Sequence, residues 1–119
     1  MHILIVDDSK AMRAIVIRAV KGAGFVDASY QEVGNGAEAL AAIRQKSPDL
    51  VLSDWNMPEM SGFQLLQALR ADGNPVKLGL VTSESDPKLR DEAMQAGALF
   101  ILCKPFTPDA VKAALQATL

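Results

Sequence analysis

The sequence predicts an α/β fold, a doubly wound parallel sheet of five strands in the order 2-1-3-4-5 with helices on both faces. Short apolar runs alternate five times with longer segments of helical periodicity. Most of the apolar runs are unbroken, which is typical of strands buried on both faces. Buried strands joined by helical crossovers form parallel sheets covered by helices on each side.

Five segments carry the strand pattern. The first is an uninterrupted apolar run, whereas the second is interrupted by Ser, Gln and Glu, which suggests a strand at the edge of the sheet. The predicted strands are Ile3–Val6, Ala28–Val33, Leu50–Ser53, Leu78–Val81 and Leu99–Leu102.

A helix is predicted after each strand. The first begins after Ser9, a residue type that caps helix N-termini, and the second begins at Asn35-Gly36. The fourth and fifth open with an N-cap residue followed by proline, at Asp86-Pro87 and Thr107-Pro108. Apolar residues at helical spacing are expected to face the sheet. They are Met12, Ile15, Val16, Ala19, Val20, Leu40, Ile43, Phe63, Leu66, Leu69, Val111 and Leu115.

Length and composition predict a single domain over residues 1–119 and exclude several classes of protein. The net charge of −2 disfavours binding to nucleic acid or to an anionic membrane surface. A single cysteine, Cys103, and a single histidine, His2, leave no disulfide framework, zinc cage or histidine-based triad. The chain shows neither a signal peptide nor an apolar run that could span a membrane, so we expect a cytoplasmic protein.

Charged and hydroxyl side chains follow four of the predicted strands. Asp7 and Asp8 follow the first, Asp54 the third, Thr82 the fourth and Lys104 the fifth. Because the carboxyl ends of parallel strands meet at one edge of the sheet, these groups are expected to converge there. Three crowded carboxylates repel one another unless cations offset them. One lysine and one Mg²⁺ would balance them, so the pattern predicts a magnesium site with a carboxylate free to act as a nucleophile.

Four stretches of the chain resemble the receiver domains of two-component response regulators, of the CheY-like chemotaxis type. They are VDDSKAMR, SDWNMPEMSG, VTSES and AGALFILCKPFT. Each of their acidic, hydroxyl or lysine motifs follows its own predicted strand, and this combination is far more specific than a lone pair of aspartates. The resemblance extends over the whole chain and implies the flavodoxin-like order of strands given above.

The resemblance implies a signalling switch rather than an enzyme that acts on other molecules. Asp54 would accept a phosphoryl group from a histidine kinase, with Mg²⁺ as the cofactor. Asp7 and Asp8 would hold the metal together with Asp54 and the backbone carbonyl of Asn56. The chain would then catalyse only its own phosphorylation and dephosphorylation.

The same resemblance assigns roles around the phosphoryl group. Thr82 would turn its hydroxyl toward the phosphoryl group, and Lys104 would contact it, with a cis peptide bond to Pro105. Asn56 and Glu84 would tune how fast water removes the group, although Glu84 is equally well explained as a solvated loop residue.

The resemblance also implies an output surface. The face formed by the fourth helix, the fifth strand and the fifth helix would control binding of a downstream protein, in chemotaxis or motility, and a phosphatase is a further partner. The family often carries an aromatic residue where this sequence has Ile101. Phe100, one residue earlier, would point to the opposite face of the strand. Ile101 is therefore expected to be a packed strand residue, and aromatic coupling to Thr82 is not expected.

Other functions remain open at the level of the sequence. The chain could be a phosphorelay intermediate or a phosphate sink without motor output. A small phosphatase with an aspartate nucleophile would want D-x-D-x-T after the first strand and a cap insertion, whereas this chain has D-D-S-K-A. A flavodoxin-like electron carrier would need hydroxyls and amides where the first loop offers acids. Cys103 is expected to be a small buried hydrophobic residue, and Trp55 a fluorescence reporter beside the site.

Overall fold

The computed structural model describes residues 1–84 and 86–118, in which strands and helices alternate along the chain. The strands are β1 (His2–Val6), β2 (Ser29–Val33), β3 (Leu50–Asp54), β4 (Leu78–Thr82) and β5 (Phe100–Cys103). The helices are α1 (Lys10–Gly22), α2 (Gly36–Gln45), α3 (Gly62–Ala71), α4 (Pro87–Gln95) and α5 (Pro108–Thr118).

The five strands form one parallel sheet in the order β2-β1-β3-β4-β5, so the predicted fold class and topology are confirmed. β2 lies at one edge and exposes three of its five residues, in agreement with its polar sequence. Two of the interior strands, β3 and β4, are buried along their whole length. Because all five strands are parallel, their carboxyl ends point to the same edge of the sheet.

Each face of the sheet is covered by its own apolar core. On one face, Ile3 and Ile5 pack with Val16 and Val20 of α1 and with α5. On the other face, Leu4 and the alternate strand residues pack with α2, α3 and Ala93 of α4. This alternation follows from the period of two along a strand and explains why the apolar runs are unbroken.

Side-chain caps fix where the helices begin, as the sequence predicts for α1, α2 and α4. Ser9 Oγ accepts the Met12 amide, and Asn35 Oδ1 accepts the Glu38 amide. Asp86 caps α4 in the same way, ahead of its N-terminal proline. The reciprocal capping box of α3, in which Ser61 and Gln64 bond to each other's backbone, is a feature that the sequence analysis missed.

Two expectations about packing are wrong. Ile15 does not face the sheet; it is 48 % exposed and borders an open apolar groove with Phe106 of the β5–α5 loop. Cys103 is half-buried rather than buried, because it is the last residue of β5 and its side chain emerges beside α4. Among the described helices, none has the length and apolar character needed to cross a bilayer.

Candidate functional site

Three carboxylates meet at the carboxyl edge of the sheet, as their positions after β1 and within the end of β3 predict. Asp7, Asp8 and Asp54 each offer an oxygen, and these oxygens all lie within 4.8 Å of one another. Asp7 and Asp54 are buried, whereas Asp8 is exposed. Hard oxygen donors of this kind, with one side open to solvent, suit a divalent cation such as Mg²⁺ that keeps part of its water shell.

Lys104 brings a cation to the same cluster from the end of β5. Its Nζ lies 3.2 Å from Oδ1 of Asp54 and 3.9 Å from Oδ2 of Asp7. Its backbone amide donates to the carbonyl of Thr82 at 2.7 Å, and its peptide bond to Pro105 is cis, as expected. The lysine is therefore held by the end of β4 while its ammonium reaches across to two acids.

The environment of Asp7 raises the pKa of its carboxyl above the usual 3.8. Burial is the main cause, because it disfavours the charged form, and the negative charges of Asp54 and Asp8 act in the same direction. The Ser9 amide, which donates to Oδ1 at 2.9 Å, and the charge of Lys104 oppose this rise in pKa. A bound cation would favour the ionised form, so metal and proton compete for this carboxylate.

Thr82 ends β4 next to Asp54, because β3 and β4 are neighbours in the sheet. The residue is buried, and its Oγ1 accepts the backbone amide of Glu84 at 3.1 Å. On the other side, the Trp55 amide donates to the carbonyl of Val81 at 2.8 Å. The hydroxyl oxygen thus holds the first turn of the β4–α4 loop, and a rotation of the Thr82 side chain would break that contact.

Asn56 and Glu84 are both exposed in the loops that follow Asp54 and Thr82. Trp55 precedes Asn56 and stacks on Phe63 of α3, with ring centroids 5.4 Å apart and planes inclined by 10°. Trp55 also lines a narrow cavity with Thr82 and Glu84. The indole is thus fixed beside the candidate site, which supports its use as a reporter.

Ile101 and Phe100 face opposite sides of β5, as the sequence predicts. Ile101 packs with the core that contains α4 and lines the cavity beside Thr82. Phe100 lies on the other face, across from Gly79, where an added Cβ would come within 2.3 Å of the ring. The position beside Thr82 therefore holds a branched aliphatic side chain, and Phe100 does not take its place.

Two residues around the site escaped the sequence analysis. A Cβ on Gly62 would lie 2.3 Å from the carbonyl oxygen of Asp54, so only glycine fits there. Arg13 of α1 donates from Nη1 to the carbonyl oxygen of Asp7 at 2.7 Å. The glycine could have been suspected from its place just after the helix cap Ser61, whereas the arginine resembles the other basic residues of α1.

The geometry described above agrees with comparisons to known proteins. Residues 3–116 match the family model described as the response regulator receiver domain, so the chain belongs to the response regulator receiver family. It is 37 % identical to the chemotaxis protein CheY of Pseudomonas aeruginosa over 98 % of this chain and 94 % of that protein. It is 39 % identical to chemotaxis protein CheY-3 of Vibrio cholerae over 98 % of this chain and 89 % of that protein.

Solved structures give the same result. Chemotaxis response regulator CheY4 of Vibrio cholerae superposes with a TM-score of 0.85 at 32 % identity, covering 99 % of this chain and 98 % of that one. The chain also matches the Escherichia coli transcriptional regulator NtrC at 36 % identity, but it spans only 23 % of that protein. The chain is thus a CheY-like receiver of two-component signalling. This family assignment disfavours the phosphatase and electron-carrier alternatives.

Proposed function

We propose that the chain is a phosphorylation-activated switch, which takes a phosphoryl group from a histidine kinase onto Asp54 with the help of Mg²⁺. The observation that carries the proposal is the convergence of Asp7, Asp8, Asp54 and Lys104 within a few ångströms at the sheet edge. A cytoplasmic location belongs to the same proposal, because the kinase that loads the chain needs ATP.

The transfer exchanges one bond to phosphorus for another. A carboxylate oxygen of Asp54 attacks the phosphorus of a phosphohistidine, the new O–P bond forms, and the N–P bond breaks. The imidazole leaves with the electron pair and takes up a proton from solvent. Mg²⁺ held by Asp7, Asp8, Asp54 and the Asn56 carbonyl would supply the charge that offsets the phosphoryl oxygens.

Two contacts of the protein's own groups support this proposal. The Lys104 ammonium donates to Asp54 Oδ1 before the reaction and can move to a phosphoryl oxygen once that carboxylate becomes an acyl phosphate. The Thr82 hydroxyl accepts the Glu84 amide before the reaction. After phosphorylation it can turn and donate to a phosphoryl oxygen. A phosphoryl group adds negative charge and three acceptor oxygens, which favours the movement of both the Lys104 ammonium and the Thr82 hydroxyl toward it.

The same rearrangement provides the output. When Thr82 turns toward the phosphoryl group, the Glu84 amide loses its partner and the β4–α4 loop shifts. We propose that this changes the face formed by α4, β5 and α5, including Ile101, and thereby the binding of a downstream protein. The identity to CheY proteins supports a role in chemotaxis or motility.

Ile101 supports a second candidate within the same family. Because Ile101 is aliphatic, β5 offers no aromatic ring at this position beside Thr82 that could change its rotamer on phosphorylation. A phosphorelay intermediate or a phosphate sink needs only the transfer chemistry and no such change on the output face. A phosphatase could act as a further partner in either case, with Asn56 and Glu84 setting the intrinsic rate of hydrolysis.

The test is incubation of the chain with Mg²⁺ and acetyl phosphate, followed by intact-mass spectrometry. We expect one phosphoryl adduct, which disappears in Asp54→Asn and without Mg²⁺, and which persists in the control Asp91→Asn on the exposed surface of α4. Absence of the adduct at every Mg²⁺ concentration would refute the proposal. Binding of candidate partners with and without the adduct then separates a switch from a phosphate sink.

A further inference from the structure

Arg13 lies on α1 and bonds to the backbone of Asp7, one of the three acids. Its Nη1 donates to the carbonyl oxygen of Asp7 at 2.7 Å, and its Nε donates to Glu32 Oε1 on β2 at 3.0 Å. The arginine side chain is only 17 % exposed, compared with 43 % for the glutamate. A guanidinium held by two acceptors in this way is a fixed fork rather than a mobile surface charge.

The carbonyl that Arg13 holds belongs to the peptide bond between Asp7 and Asp8. Because a peptide unit is planar, fixing its oxygen fixes the orientation of the plane and the direction in which Asp8 leaves β1. The backbone amide of Asp7 donates to the carbonyl of Val33 at 3.2 Å, and the backbone amide of Ser9 donates to the Asp7 carboxylate. Arg13 thus completes the set of contacts that orient this pair of acids.

Glu32 has a separate effect on the same guanidinium. A free arginine beside three carboxylates would pair with one of them through two hydrogen bonds. In this chain the guanidinium instead makes its ion pair with Glu32 on β2 and its other bond to the Asp7 carbonyl. The edge strand β2 is thereby linked to the candidate metal site, although none of its residues belongs to that site.

We infer that Arg13 is a positioning residue for the divalent cation, which orients Asp7 and Asp8 through the Asp7 carbonyl while Glu32 holds the guanidinium in place. This inference rests on the proposed Mg²⁺ site. For the removal of Arg13, the inference and simple electrostatics predict opposite changes in the affinity for Mg²⁺. Removing a positive charge beside a cation site should tighten cation binding, whereas loss of a positioning contact should weaken it.

The experiment titrates Mg²⁺ into the chain and follows the fluorescence of Trp55, its only tryptophan. We expect Arg13→Gln to raise the dissociation constant for Mg²⁺ about tenfold, the lower end of the range for residues that orient metal ligands. Arg13→Lys should fall between Arg13→Gln and the wild type, because an ammonium reproduces the charge but not the fork. The matched control is Lys10→Gln, which removes an exposed positive charge from the same helix and should leave binding unchanged or tighter.

Glu32→Ala provides a second test that leaves Arg13 in the chain. It should weaken Mg²⁺ binding as well, and adding it to Arg13→Gln should cause no further loss, because the two residues act as one unit.

The outcomes separate this inference from the proposed function. If the wild type does not bind Mg²⁺, both are overturned. If the wild type binds and Arg13→Gln behaves like Lys10→Gln, only the role of Arg13 is overturned. Should Arg13→Gln fail to fold, Arg13→Lys decides: it keeps the positive charge, so weaker binding than in the wild type supports the inference, and unchanged binding contradicts it.

Discussion

The ammonium of Lys104 lies 3.2 Å from a carboxylate oxygen of Asp54, although the two residues are fifty positions apart in the chain. The same ammonium is 3.9 Å from Asp7. Among the described residues it is the cation placed to face both buried acids at once. Much of the behaviour of the site without metal should therefore depend on this single side chain.

Lys104→Ala should destabilise the metal-free protein at neutral pH. The change leaves two buried carboxylates without their cation, and we expect the free energy of unfolding to fall by about 2 kcal/mol, between the values for exposed and buried ion pairs. Urea denaturation in a chelator measures this, with Lys112→Ala on the exposed surface of α5 as the control. Mg²⁺ should restore more stability to the variant than to the wild type, and equal gains would contradict this explanation.

The raised pKa of Asp7 predicts how stability depends on pH in the absence of metal. Between the usual pKa of 3.8 and the raised pKa, the folded chain binds more protons at this site than the unfolded chain. The contribution of Asp7 to stability is therefore largest at the acid end of this window and declines as the pH rises through it.

Asp7→Asn tests that dependence, because the amide keeps the shape of the side chain without its charge. The variant should be more stable than the wild type at neutral pH in a chelator, and the difference should shrink as the pH falls. The urea midpoint, measured from neutral pH down to about pH 4, gives both curves. A difference that does not change with pH would show that the raised pKa of Asp7 is not its source.

Glu84→Ala should change the lifetime of the phosphoryl group, provided that the proposed function holds. An exposed carboxylate near the site can orient an attacking water only loosely, so we expect a several-fold longer lifetime, well below the factor of about 100 for a fixed general base. Loss of the adduct mass with time measures it, and Glu92→Ala on α4 is the control. Equal decay rates for Glu84→Ala and the wild type would refute the tuning role.

Gly62→Ala should both destabilise the chain and disturb the end of β3. The new Cβ would meet the Asp54 carbonyl oxygen at 2.3 Å and the Leu80 side chain at 2.9 Å. A backbone oxygen cannot move aside cheaply, so we expect a loss of about 1–3 kcal/mol in the free energy of unfolding. Gly34→Ala is the matched control, because its nearest neighbours are 3.9 Å away, and it should stay close to wild-type stability.

The sequence predicted the sheet well because the apolar runs of β1, β3 and β4 are short, unbroken and separated by clear helix caps. It also predicted which groups would meet, since residues that follow parallel strands must lie at one edge. It could not predict the contact of Arg13 with the site, because the partner is a backbone oxygen, and the spacing of the acids in the sequence does not depend on such a contact. Ile15 was misplaced because helical periodicity identifies a face of α1 but not where the sheet beneath it ends.

The backbone ladder of the sheet continues beyond the strands into the site. The Trp55 amide bonds to Val81, and the Lys104 amide bonds to Thr82. The separations among the acids and the lysine are thus set by the lateral spacing of strands, about 4.8 Å, and not by the lengths of the connections at the far edge. New chain ends opened by circular permutation in the α3–β4 connection, around Asn74, should accordingly leave the geometry of the acids intact.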